Sequence, residues 1–118
     1  MSERVRRAPL PPTAYHILLC LIEGPLHGYA MKSVVEERTD GVVRLGAGTL
    51  YHAIKSLRDK GYVVETEAPK EHESPNPRLR FYAITAEGKE ILAMETERLA
   101  ADVALARKKL ATLKGIGE

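Results

Sequence analysis

From Thr85 onward, apolar side chains return at a spacing that one compact domain of this size has no means of covering. Leu92, Thr96, Leu99, Val103, Ala106, Leu110 and Leu113 are separated by 4, 3, 4, 3, 4 and 3 residues, which is the a/d seam of a coiled coil. Thr85 is placed to cap this helix and Glu87 falls in its first turn, where the helix dipole favours an acid. The pattern predicts a helix to about Lys114, ended by Gly115, with Arg107, Lys108, Lys109 and Lys114 at the end that prefers cations. A chain of 118 residues holds one ordinary domain. Its core needs only one or two turns of this helix, so a long apolar stripe is left over. Such a stripe wants a partner, and a two-fold pair of identical chains is the commonest solution. Leu92, Leu99, Val103, Ala106, Leu110 and Leu113 are therefore the expected dimerisation residues.

Residues 1–10 read as a flexible basic arm with Arg4, Arg6 and Arg7. Pro11 and Pro12 open a first helix, with Ile17, Leu18, Leu21 and Ile22 at helical spacing and Gly24-Pro25 as its stop. A second helix is expected from His27 or Gly28 to Arg38, with Tyr29, Ala30, Val34 and Val35 inward and Asp40-Gly41 turning the chain. A third runs from Ala47 to Lys60, where Gly61 caps it; Leu50, Ile54 and Leu57 form one narrow apolar stripe. Residues 62–67 and 79–84 are β-branched or aromatic and partly alternate, which predicts two antiparallel strands. The connection over 68–78 carries Pro69, Pro75 and Pro77 and should project as a loop. The expected fold is α+β and mainly helical: a winged helix-turn-helix over 11–84, with a C-terminal dimerisation helix and tail over 85–118.

The third helix has the surface that a reader of DNA needs. Its outer positions are Thr49, Tyr51, His52, Lys55, Ser56 and Arg58, and no acid occurs before Asp59. Hydroxyls, an imidazole and cations can bond phosphates and base edges, and a protruding helix fits the major groove, about 12 Å wide. Residues 1–61 carry nine Lys/Arg against six Asp/Glu, and residues 62–118 carry nine against ten, so the positive excess lies in the half with this helix. On the wing, Arg78 and Arg80 are the stronger phosphate candidates. Lys70 and His72 stand among Glu65, Glu67, Glu71 and Glu73. Arg80 has two other options, packing against Tyr82 or pairing with Glu65.

The residues at this point resemble a known family. GlyProLeuHisGlyTyrAla (24–30), ArgLeuGlyAlaGlyThrLeuTyr (44–51), AspLysGlyTyrVal (59–63) and ArgPheTyrAlaIleThrAlaGluGly (80–88) look like the PadR-type transcriptional regulators, over roughly residues 12–95. The resemblance implies a dimeric repressor on an inverted-repeat operator, with Thr49, Tyr51 and Lys55 at the family's DNA-facing positions. His52 departs from the pattern, where proline or arginine often follows the tyrosine. Some members respond to small molecules, so a small-molecule effector joins duplex DNA and a second copy as an expected partner. A site that stacks flat aromatic compounds is not expected. There is no tryptophan, the last helix has no aromatic residue, and Tyr15 alone lies near.

Other readings fare worse. The four histidines are scattered, and no nucleophile, base and acid can be grouped, so no enzyme, catalytic residue or cofactor is expected. GlyAlaGly lacks the Gly-Lys-Ser/Thr of a phosphate-cradling loop. His16 and Cys20 at i, i+4 are two ligands short of a metal site, and Cys20 reads as a buried free thiol. No apolar run nears the ~20 residues of a membrane span, and the basic start is followed by no apolar signal core. A cytoplasmic location follows as the expectation. The alternative function is a winged helix that binds protein rather than DNA, although such modules favour an apolar or acidic third helix.

Overall fold

The computed structural model describes residues 9–70 and 79–117; Arg4, Arg6, Arg7, Glu71, His72, Glu73 and Arg78 lie outside the described residues. Helix α1, Pro12–Leu21, begins as expected, with Pro12 in the first turn where a missing N–H costs nothing. Its inner face supplies Ile17, Leu18 and Leu21 to the core. Helix α2, Gly28–Arg38, is capped by His27, whose Nδ1 accepts from the Ala30 N–H at 3.1 Å. The inner face of α2 differs from expectation. Gly28, Met31 and Val35 are buried, while Tyr29 is 69% and Val34 37% exposed. The buried row runs i, i+3, i+7; packing against α1 and α3 sets the rotation of the helix, and two apolar residues are left on its outside.

The chain leaves α2 through Asp40 (φ 53°) and Gly41 (φ 79°), a left-handed pair that reverses its direction. Helix α3, Ala47–Asp59, packs Leu50, Ile54 and Leu57 into the core as the stripe requires, each 2% exposed. Strands β2 (Val63–Thr66) and β3 (Phe81–Ile84) pair antiparallel, Val63 opposite Ile84 and Thr66 opposite Phe81. A third strand, β1 (Leu26–His27), pairs with the other edge of β3, Leu26 opposite Tyr82 and His27 opposite Phe81. The sheet order is β1-β3-β2. Two residues carry no periodicity, which is why the sequence gives no sign of β1. The His27 and Phe81 rings meet edge to face at 5.2 Å.

Helix α4, Ala86–Gly117, starts on Thr85, whose Oγ1 accepts from the Gly88 N–H at 2.9 Å. Gly88 is where α4 comes down on the sheet. A β-carbon there would strike the Tyr62 carbonyl oxygen and lie 2.7 Å from Ile84 Cγ1. Ile91, Leu92 and Glu95 are buried, and Glu95 is held by Arg98 at 2.9 Å. Leu92 therefore belongs to the chain's own core, not to an open seam. Thr96 gives its hydroxyl proton to the Leu92 carbonyl (2.8 Å), so Tyr15 Oη donates to Thr96 Oγ1 (2.8 Å) and ties α1 to α4. From Thr96 to Lys114 every residue is exposed. The helix runs on to Gly117, past the expected stop at Gly115; helix ends are the least determined boundaries in a sequence.

Candidate nucleic-acid interface

Helix α3 turns about 100° per residue, so its outer positions divide between two flanks. Tyr51, Lys55 and Arg58 lie toward α2 and the sheet. The Tyr51 ring covers Gly28: a β-carbon on Gly28 would strike the Tyr51 hydroxyl and come within 2.8 Å of Cζ. Helix and ring thus approach closely at the HisGlyTyr stretch, and a side chain at position 28 would displace the half-exposed Tyr51 ring. Thr49, His52 and Ser56 lie on the other flank, along a groove between α3 and the start of α1. The sequence grouped all six positions as one surface, and the fold separates them.

Tyr82 joins the first flank to the wing. Burial is the main cause that raises its pKa, helped by the Glu65 carboxylate and by Tyr51 and opposed by Arg58 and Arg80. Glu65 faces Tyr82 across the ladder and takes Arg80 at 2.9 Å, which settles the choice open to Arg80 in favour of the ion pair. Lys55 pairs with Asp59 at 3.1 Å across one helical turn. Both pairs lie at the surface, where such contacts contribute little to stability. Exchanging a carboxylate for a phosphate oxygen therefore costs these cations little. Tyr29 is the position that sequence reasoning missed. Apolar count points it inward, yet it stands exposed in the first turn of α2, next to the glycine that Tyr51 covers. Its place in the HisGlyTyr motif was the available signal.

His16 and Cys20 do lie together, but a guanidinium fills the space between them. Arg38 donates to His16 Nδ1 at 2.8 Å and to the Cys20 sulfur at 3.8 Å. Burial lowers the His16 pKa, with Arg38 adding to it; burial raises that of Cys20, with Arg38 opposing. Among the described residues no three metal-ligating side chains gather, and no helix is long and apolar enough to cross a membrane.

The comparisons with known proteins agree with this architecture. A transcriptional regulator from Clostridium thermocellum superposes with a TM-score of 0.70 and 26% identity, over 92% of this chain and 96% of that one. A PadR family transcription regulator from Clostridium difficile shares the fold at a TM-score of 0.69 and 21% identity, over 85% of this chain and 99% of its own. Bacillus subtilis PadR, solved in complex with operator DNA, matches at 0.57 and 25% identity, over 68% of this chain and 44% of that one. A curated relative, an uncharacterized 37.1 kDa protein in transposon TN4556 of Streptomyces fradiae, is 36% identical over 84 residues; the match takes in 71% of this chain and 22% of that protein. The chain thus spans about a fifth of the length of that relative. The family model of the PadR-like transcriptional regulators matches residues 17–94. With the winged helix already in place around Tyr51, Lys55 and Arg80, that match settles its membership: the chain belongs to the PadR-like family of transcriptional regulators.

Proposed function

We propose that the chain is a cytoplasmic, sequence-specific DNA-binding regulator that acts as a homodimeric repressor on an inverted-repeat operator. The observation that carries this reading is α3 itself. Its buried stripe is confined to Leu50, Ile54 and Leu57, and the rest of its circumference presents hydroxyls, an imidazole and cations with no acid before Asp59. In this reading α3 enters the major groove. Tyr51, Lys55, Thr49, His52 and Ser56 meet bases and phosphates, Tyr29 reaches the backbone from α2, and Arg80 reaches it from the wing. The operator complex of the Bacillus subtilis relative supports DNA as the partner. Arg78, outside the described residues, belongs to the same wing proposal.

Dimerisation rests on Leu99, Val103, Ala106, Leu110 and Leu113, the part of the expected seam that the core leaves exposed. Two copies related by a two-fold axis present α3 with opposite polarity. Half-site centres about 34–36 Å apart then follow. The test is footprinting and gel-shift titration. Tyr51→Ala and Lys55→Ala are each expected to weaken operator binding by about 1–3 kcal/mol, roughly five- to 150-fold, with the melting temperature preserved for Lys55→Ala. Full affinity in both variants would remove α3 as the reader. Absence of any salt-sensitive DNA binding would favour a protein-binding winged helix.

A further inference from the structure

We propose that the groove between α1 and α3 is a binding site for a small aliphatic carboxylate, and that filling it lowers the affinity of α3 for DNA. The groove encloses about 230 Å³. Its floor is apolar, made by Leu10, Ala14, Ala53 and Leu57, and its rim carries Thr49, His52, Ser56 and Lys60. Among the described residues no acid lines it, and Asp59, next to Lys60 in the chain, is engaged by Lys55. None of the four rim side chains forms a hydrogen bond or ion pair with another described residue. Apolar walls with a few convergent polar groups are the general form of a small-molecule site. One ammonium with hydroxyl and imidazole donors selects an anion.

Size and lining narrow the ligand further. An apolar cavity of about 150 Å³ takes benzene, so this one has room for a body of roughly six to eight carbons. No phenylalanine, tyrosine or tryptophan lines it, so nothing stacks on a flat ring, and an aliphatic body is the better fit. The consequence for DNA rests on the reading of α3 proposed above. A carboxylate beside Thr49, His52 and Ser56 would occupy their donors and repel phosphates, and the coupling must be reciprocal.

Octanoate is the probe, titrated into the full chain without DNA by calorimetry and methyl NMR. A Kd of about 0.1–1 mM is expected, with shifts at the methyls of Leu10, Ala14 and Ala53 and binding of octanol at least tenfold weaker. Ala53→Leu, which fills the groove, and Lys60→Gln, which removes the charge at an exposed position, should each weaken octanoate at least tenfold. Thermal melting checks that Ala53→Leu is folded, and Lys60→Gln stands independently of it. With operator duplex, saturating octanoate should lower DNA affinity at least fivefold, and the duplex should weaken octanoate by the same factor. No heat and no methyl shift, or unchanged binding in both variants, overturns the site. Equal octanoate affinity with and without bound duplex overturns the regulatory half. A chain that takes octanoate but binds no duplex overturns the proposed function and leaves the site standing.

Discussion

Helices α3 and the distal half of α4 carry the same kind of pattern, apolar side chains three and four apart, and meet opposite fates. Leu50, Ile54 and Leu57 are sealed inside the domain, whereas Val103, Leu110 and Leu113 are 46%, 63% and 64% exposed. Spacing alone does not separate them. What does is position relative to the core. Helix α3 lies under α1 and the sheet, while α4 has spent its contact with the domain by Glu95 and Thr96. An apolar stripe thus marks a face suited to packing, and the remaining volume of the domain decides whether the chain's own core can cover it.

The largest test of that contrast removes residues 99–118. The winged core keeps Ile91, Leu92 and Glu95 and should fold, but it should sediment as a monomer. Operator affinity should then drop by about two to four orders of magnitude, because two half-sites bound separately lose their effective concentration. Dimers that persist, with undiminished binding, would put the interface on another face. A second test compares single side chains. Ile54→Ala should cost about 2–5 kcal/mol in chemical unfolding, and Leu110→Ala should leave the truncation-resistant core unaffected while loosening the dimer. Equal losses of core stability in the two would erase the distinction between them.

The smallest effect concerns pH. Arg38 can only donate, so His16 Nδ1 must be the unprotonated acceptor, and its folded pKa lies below the ordinary 6.5 through burial first and Arg38 second. The unfolded chain then takes up the proton more readily. Stability from this contact is fully present above pH 6.5 and declines as pH falls through 6.5 toward the lower folded value. Urea midpoints between pH 7.5 and 5.5 should show the decline, and His16→Gln should flatten part of it. A midpoint that rises on acidification in the parent, with no change in the variant, would contradict the assignment.

Much of this was legible beforehand because it rests on short-range chemistry. Pro12, Thr85 and Gly61 marked helix ends, the 50/54/57 stripe marked a core face, and β-branched runs marked β2 and β3. The rest depended on what lies next to what. Met31 replaced Tyr29 on the inner face of α2 because packing sets the rotation of a helix. Strand β1 exists because β3 offered a free edge to two residues. Arg80 chose Glu65 because the register puts that acid opposite Tyr82, and Leu92 left the seam because the core reached one turn further along α4. The separation of Tyr51 and Lys55 from Thr49, His52 and Ser56 likewise needed the place of α1, which no periodicity encodes.

Gly88 has a mechanical consequence. Helix and sheet touch there without the thickness of a methyl group between them, and Thr85 is stitched to both sides, through Gly88 and through the Gly61 carbonyl at 2.7 Å. The junction has no slack, and Ile91, Leu92 and Glu95 carry the packing on to Thr96. Beyond Thr96 an exposed arm of about 18 residues extends roughly 27 Å at 1.5 Å per residue, so a bend of about 5° where it leaves the core displaces the far end by some 2 Å. Run in reverse, a two-fold pair clamped at its arms would swing its reading heads by such increments. The separation of the half-sites would then be geared to the short packed stretch of α4 between Gly88 and Thr96.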